Sequence, residues 1–298
     1  MTNQTNPTVH SAFDDRAHAE RPAADSPAVM SAALTRTRVA THKQTFARGL
    51  VSEWIKLRSV KSTWIGAGAF GVVLVGFAAL GALLTSSAAG AGPQMTDPLS
   101  TVLMGANLAV LVLGALGALA GAREFGSRMI TTTTVAVPRR WKVVVAKATV
   151  LTAVILPVSL IGVFGAYALG MPILGAHGAT TVALTDPGVL TSLVGMAGYL
   201  TAIALIGFGL GMLFRGTTGA IAGIIGGVLI LPMLLGSLLP DSWDVVLQFL
   251  PTSAASAFTV VAGSGGMVLS AAAGVVVLVG WVLAAVGGAG VSYVRRDV

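Results

Sequence analysis

The segment "STWIGAGAFGVVLVGFAALGALL", residues 62–84, contains no charged side chain. At about 1.5 Å per residue, a helix over this stretch is long enough to cross a hydrocarbon core of roughly 30 Å. Lipid offers no water to the backbone, so its N–H and C=O groups must bond to one another within a helix. The segment therefore predicts a transmembrane helix.

Five further apolar runs predict five more spans, at approximately 101–122, 148–170, 189–213, 217–239 and 267–292. The 298 residues are 55% hydrophobic and only 10% charged, whereas a soluble domain carries about a quarter charged residues. We therefore predict an all-α polytopic membrane protein with six transmembrane helices, in a domain over residues 62–298. Pro157 and Pro232 lie inside the third and fifth runs and predict kinks there.

The basic residues predict the orientation of these spans. Nine of the 18 precede the first span, six lie in the 123–147 loop, one is Arg215, and two end the chain. The three opposite loops contain no Lys or Arg. By the positive-inside rule, the N- and C-termini and the 123–147 loop are expected to be cytoplasmic.

Two regions precede the first span. Residues 1–45 are polar and lack hydrophobic periodicity, which predicts a disordered cytoplasmic tail. Residues 46–61 predict an amphipathic interfacial helix, with Trp54 at headgroup level and Lys56 and Arg58 toward anionic membrane lipids. The alternative is a merely basic flank. The apolar face comprises Leu50, Val51, Trp54, Ile55 and Leu57.

Several chemistries are excluded by what the sequence lacks. There is no cysteine, and no lysine follows a glycine, so thiol chemistry and the G-x-x-x-x-G-K-[ST] phosphate loop are absent. The six apolar runs contain no Asp, Glu, Lys, Arg or His, the groups that ion-coupled transporters usually place at mid-membrane depth. We expect no catalytic residue, metal or directly bound cofactor, and no nucleic acid partner, because the positive charge gathers beside apolar segments.

Glycines at G-x-x-x-G spacing allow helix backbones to approach closely. Gly117 and Gly121 form such a pair in the second run, and Gly219, Gly223 and Gly227 form two overlapping pairs in the fifth. They indicate packing within the chain or a dimer face, and we favour packing within the chain.

Five of the nine basic residues that follow residue 61 lie in "EFGSRMITTTTVAVPRRWKVVVAK", residues 124–147. Together with "SEWIKLRSVKSTW" before span one, this segment resembles the membrane subunits of bacterial ABC type-2 transporters. Many such permeases have S/A-E-W-x-K-L-R, then E-x-x-x-G-T-x-R-x-x-L-x-x-x-P-R followed by A-K. The residues that match are Ser52, Glu53, Trp54, Lys56, Leu57, Arg58, Glu124, Gly126, Arg128, Pro138, Arg139, Ala146 and Lys147. Thr131 to Thr134 depart from the pattern by replacing a more apolar run.

The resemblance implies a permease subunit in the bacterial plasma (inner) membrane, pairing with a second permease copy as a homo- or heterodimer. The 123–147 loop would dock into a separate ABC ATPase subunit, which hydrolyses ATP and drives export of a hydrophobic or amphipathic drug, lipid or peptide. Short outer helices within 240–266 would resemble a lid. The ATPase-coupling residues would be Glu124, Arg128, Pro138, Arg139 and Arg140, with Glu124 paired to a neighbouring arginine.

Other functions remain open from the residues alone. The basic loop serves equally to fix topology, or to attach a cytoplasmic complex to a non-transporting membrane scaffold or anchor. A secondary transporter without charged coupling residues is a third hypothesis.

Overall fold

The computed structural model describes residues 46–88, 97–126, 141–259 and 269–295. All of these belong to one compact unit, Gln44–Val298. Within these ranges every regular element is helical, and six helices are long and apolar enough to cross a membrane. The prediction of an all-helical membrane protein with six candidate spans is thereby confirmed. The predicted tail 1–45 lies outside the described residues, and the cytoplasmic location of the termini stays a prediction.

The described residues of the first half of the chain form five helices. Their bounds are α1 Phe46–Ser59, α2 Lys61–Ala88, α3 Pro98–Val102, α4 Ala106–Gly126 and α5 Trp141–Ala176. Helix α2 is span one, α4 is span two and α5 is span three. The predicted run 101–122 comprises the end of α3, a turn and most of α4. Helix α3 forms because Pro98 starts it and the Asp97 carboxylate accepts hydrogen bonds from the N–H groups of Leu99 and Ser100, at 3.3 and 3.1 Å.

The second half begins with span four, α6, at Val189–Phe214. Span five, Thr217–Leu238, comprises α7 Thr217–Ile224, a π-helical segment Ile225–Ile230 and α8 Leu231–Leu238. The described part of the predicted outer segment, up to Thr259, contains a 3₁₀ turn Asp241–Trp243 and two short helices, α9 Asp244–Leu247 and α10 Pro251–Thr259. Span six is α11, Ala271–Arg295.

Span five changes its helical pitch next to Pro232. A proline has no N–H, so Pro232 cannot donate to the carbonyl of Val228 four residues earlier. The hydroxyl of Thr252, on α10, donates to that carbonyl at 3.1 Å. The π-helical segment ends two residues before the proline, so the predicted irregularity at Pro232 is accommodated by a wider turn and a bond from a neighbouring helix.

Helix α6 is the centre of the packed domain. Within its most apolar window 61% of the residues are buried, compared with 11% for span five. Leu193, Leu200 and Ile203 are completely buried. Helix α6 contacts α4, α5, α7, α10 and α11. Spans five and six therefore lie at the periphery, where most of their apolar surface is uncovered by the described part of this chain.

Glycines bring α4 and α6 into backbone contact. A Cβ placed on Gly117 would lie 1.8 Å from the carbonyl oxygen of Ala204, and one on Gly121 would lie 2.3 Å from that of Phe208. The approach is reciprocal, because a Cβ on Gly207 would lie 2.2 Å from the carbonyl oxygen of Gly114. The Gly117/Gly121 pair therefore packs within the chain, as favoured from the sequence.

The glycines of span five behave differently. Gly219 and Gly223 have neighbours only at ordinary or slightly tight distances, the nearest being side-chain atoms of Phe214 and Leu210. Nothing among the described residues lies within 4 Å of a Cβ placed on Gly227. The G-x-x-x-G spacing therefore corresponds to a tight helix contact in span two, whereas in span five it ends at Gly227, which faces open space among the described residues.

Replacing Gly117 by alanine should separate α4 from α6. The added methyl group overlaps backbone rather than a movable side chain, so we expect Gly117→Ala to lower the free energy of unfolding by about 2–3 kcal/mol. Denaturant unfolding in detergent, followed by tryptophan fluorescence, measures this loss. Gly71→Ala is the matched control, because nothing described lies within 4 Å of its Cβ, and it should change stability by less than about 0.5 kcal/mol. Equal stability of the two variants would contradict the backbone contact.

Candidate functional site at the ends of the first three spans

Helix α1 presents a carboxylate, rather than its apolar face alone, to the rest of the protein. Glu53 is buried, while Val51, Trp54 and Ile55 are exposed and Leu50 and Leu57 are half-buried. The predicted single apolar face is therefore divided. The stripe Leu50, Glu53 and Leu57 lies toward the protein, and the stripe Val51, Trp54 and Ile55 lies away from it. Such spacing by three and four residues places each set on one side of the helix.

Two lysines surround the buried Glu53 carboxylate. Lys147, on α5, places its Nζ 3.3 Å from Oε2, and Lys56, on α1 itself, places its Nζ 2.6 Å from Oε1. The Lys147 side chain is only 13% exposed, whereas that of Lys56 is 54% exposed. A charge removed from water is stable only when it is paired, so the Glu53–Lys147 ion pair fixes α1 against the first turns of α5.

A second polar contact joins span two to span one. The Arg123 guanidinium, near the end of α4, donates a hydrogen bond from Nη2 to the hydroxyl of Ser62, in the first turn of α2. Nearby, the Trp64 indole N–H donates to the carbonyl of Arg58 at 3.0 Å. That bond satisfies one of the carbonyls that the end of α1 leaves without a helical partner.

The two contacts flank the 123–147 loop. Arg123 lies in the last turn of α4, before the loop, and Lys147 lies in the second turn of α5, after the loop. Arg123 binds Ser62 on α2, and Lys147 binds Glu53 on α1. Both ends of the loop are therefore attached to the α1–α2 segment, which we call the anchor segment, residues 46–64.

The residues predicted to couple to an ATPase are not brought together by any described contact. The backbone of Glu124 belongs to α4, but its side chain is outside the described part, so the expected Glu124–arginine pair is untested. Arg128, Pro138, Arg139 and Arg140 lie outside the described residues, as do Thr131 to Thr134. Their role stays a prediction.

The predicted interfacial residues are described. Trp54, Lys56 and Arg58 are all exposed, on an α-helix that ends at Ser59. Their exposure leaves them available to lipid headgroups, and the placement of α1 at a membrane surface stays a prediction. Lys56 also pairs with Glu53, a contact that the sequence interpretation did not include.

Sequence reasoning matched Glu53 and Lys147 to a motif but assigned neither of them a role. The available signal was an acidic side chain between apolar positions of an amphipathic helix. A carboxylate there needs a cation, and Lys147 is one of the few basic residues that begin a span.

Among the described residues, no three His, Asp or Glu side chains lie close enough to hold a metal ion. No family model, curated protein or solved structure matches this chain.

Removing either partner of the buried ion pair should loosen α1. We expect Lys147→Met and Glu53→Gln each to lower the free energy of unfolding by about 1–3 kcal/mol, because each leaves a buried charge with fewer partners. Lys56→Met removes the exposed lysine from the same carboxylate and should cost about 0.5 kcal/mol or less. Thermal unfolding in detergent compares the three variants. Equal effects of Lys147→Met and Lys56→Met would show that burial does not distinguish the two pairs.

Proposed function

We propose that the protein is the membrane-spanning permease subunit of an ATP-driven ABC type-2 exporter of the bacterial plasma membrane. A separate ATPase subunit docks on the 123–147 loop and supplies the energy. The observation that carries the proposal is the attachment of both ends of this loop to the anchor segment. A displacement of the loop is thereby transmitted to α1 and to the first three spans together.

The chain itself offers no alternative energy source that would make a partner unnecessary. Its six apolar runs contain no Asp, Glu, Lys, Arg or His, and it has no phosphate loop. An ion-coupled transporter needs a group that binds or releases the ion within the membrane. The lack of such a group favours energy that arrives from outside the membrane, where the charged loop is located.

Force transmission needs stiff connections at the points where the loop joins the spans. The Glu53–Lys147 ion pair is largely removed from water, so its attraction is little weakened by solvent or salt. Helix α1 lies beside α5 and directly precedes α2. In this proposal α1 is the lever through which a movement of the loop turns spans one and three together.

The peripheral spans suit the proposed pairing with a second permease copy. Spans five and six have 11% and 17% of their most apolar windows buried within this chain, which leaves broad faces for lipid or another subunit. The transported molecule is proposed to be hydrophobic or amphipathic because the six apolar runs contain no Asp, Glu, Lys, Arg or His.

Charge-reversal variants in the loop test whether the ATPase docks there, independently of the attachment of the loop to the anchor segment. We expect Glu124→Lys, Arg128→Glu and Arg139→Glu to insert normally but to reduce co-purification of the ATPase encoded by the adjoining reading frame by about tenfold, because like charges across an interface cost several kcal/mol. Lys43→Glu, the same charge change in the region 1–45, should leave co-purification unchanged. ATPase bound equally by all four variants would refute docking on the loop.

Lys147→Met should keep ATPase binding but reduce transport, unlike the loop variants, which should lose ATPase binding. The ATPase should still co-purify, because the proposed coupling residues Glu124 to Arg140 are unaltered. Drug resistance of cells that express both subunits should fall, because the α5 end of the loop is no longer attached to the anchor segment. If the adjoining reading frame encodes no protein with a phosphate loop, the scaffold hypothesis is favoured instead.

A further inference from the structure

A groove of about 460 Å³ opens between the first turns of α5 and the last turns of α11. Val144 and Val145 form one wall, and Leu283, Val286 and Val291 form the other. Trp141 and Arg295 also line it, the first at the start of α5 and the second at the end of α11. The groove is a separate feature from the Glu53–Lys147 ion pair, whose residues do not line it.

The groove is not filled by the described side chains. Two of its lining residues are Gly287 and Gly290, and no described heavy atom lies within 4 Å of a Cβ placed on either. Leu283 is 66% exposed and Val291 is 53% exposed, so apolar side chains border an open space. Helix α11 is long and apolar enough to cross a membrane, so the groove would be open to the acyl chains of membrane lipids.

The groove is apolar along most of its length and carries a positive charge at one end. From Leu283 to Arg295 the α11 wall extends for roughly 18 Å at about 1.5 Å per residue, and it is apolar until the arginine. The cation lies at the same end as the Trp141 indole, a side chain typical of the membrane–water interface, and Lys142 follows Trp141 directly. A matching ligand has a long hydrocarbon chain and an anion at one end.

We propose that this groove binds an anionic phospholipid, with one acyl chain between α5 and α11 and its phosphate beside Arg295. Basic pockets at the ends of neighbouring spans are the sites that retain anionic headgroups. The two glycines provide the depth that separates such a site from the flat surface of a span. The proposal does not depend on the proposed transport function.

A span from a second copy of this chain fits the groove less well. Close approach along glycines would be possible, but the six apolar runs contain no carboxylate. The two peripheral spans, Thr217–Leu238 and Ala271–Arg295, contain no Asp or Glu, so neither of them would bring an anion to Arg295 from a second copy. A phospholipid supplies a phosphate at the required end. Charge complementarity thus favours the lipid.

The test uses the purified full-length chain, stripped of lipid in detergent, and native mass spectrometry. Dioleoylphosphatidylglycerol and dioleoylphosphatidylcholine have the same acyl chains and differ in net charge. We expect the anionic lipid to bind about fivefold more tightly, as one cation near the headgroup predicts. Arg295→Gln should abolish this preference. Equal binding of the two lipids by the parent protein would overturn the assignment of Arg295.

Gly287→Leu places an apolar side chain in the groove, at a position where no described atom lies within 4 Å of the Cβ, and it should weaken binding of both lipids by about tenfold. Gly288→Leu is the matched control: it makes the same change on the same helix, also with no described atom within 4 Å of the Cβ, but outside the groove lining. Equal lipid binding by the two variants would overturn the site.

Two further outcomes also decide against the proposal. Inorganic phosphate that displaces the lipid completely would show an anion site without a role for the groove. A Gly287→Leu variant that loses self-association while keeping its lipid would assign the groove to a second copy. If Gly287→Leu does not fold, the lipid preference of Arg295→Gln still decides whether the headgroup is bound there.

Discussion

Helices α4 and α6 approach so closely that the carbonyl oxygen of Ala204 lies where the side chain of residue 117 would be. Such a contact requires a residue without a Cβ at the point of closest approach, and Gly207 leaves the same space on α6 for the carbonyl oxygen of Gly114. In lipid, apolar surface alone gives little preference for one helix partner over another, so close backbone packing selects the pair. The α4–α6 pair is the fixed centre, and α5, α7, α10 and α11 contact α6 around it.

The charged residues act at the boundary of this apolar body. Lys147 and Arg123 lie at the ends of two spans that a long loop connects, and each binds a residue of the anchor segment. The glycine contact therefore orders the spans within the membrane, whereas the polar contacts order their ends.

The six spans could be predicted from the sequence because the bilayer requires long, helical, apolar segments. The contacts between them could not. Gly117 and Gly223 belong to the same spacing pattern, yet only the first meets a backbone, since the outcome depends on which helix lies opposite. The division of α1 into two stripes had the same cause. Nothing within the sequence of α1 shows that α5 lies beside Glu53 and supplies a lysine.

The coupling residues proposed for the loop could be named from a motif, but a motif contains no distances. Arg128 and Arg139 lie outside the described residues. The flanking contacts of Arg123 and Lys147 join residues that are far apart in the sequence, so no local pattern predicts them. What the sequence does establish is where charge is concentrated. The geometry adds which of those charges lie between helices.

The irregularity in span five has a consequence for how this helix moves. The Val228 carbonyl accepts a hydrogen bond from Thr252, which belongs to another helix. Pro232, four residues after Val228, has no N–H and cannot donate to this carbonyl. Bending the span at this level therefore does not require a main-chain bond from residue 232 to break. The Thr252 hydroxyl adds a bond from another helix at this level. A shift of α10 that withdraws Thr252 would leave the Val228 carbonyl without this donor, so the conformation of span five and the position of α10 are linked.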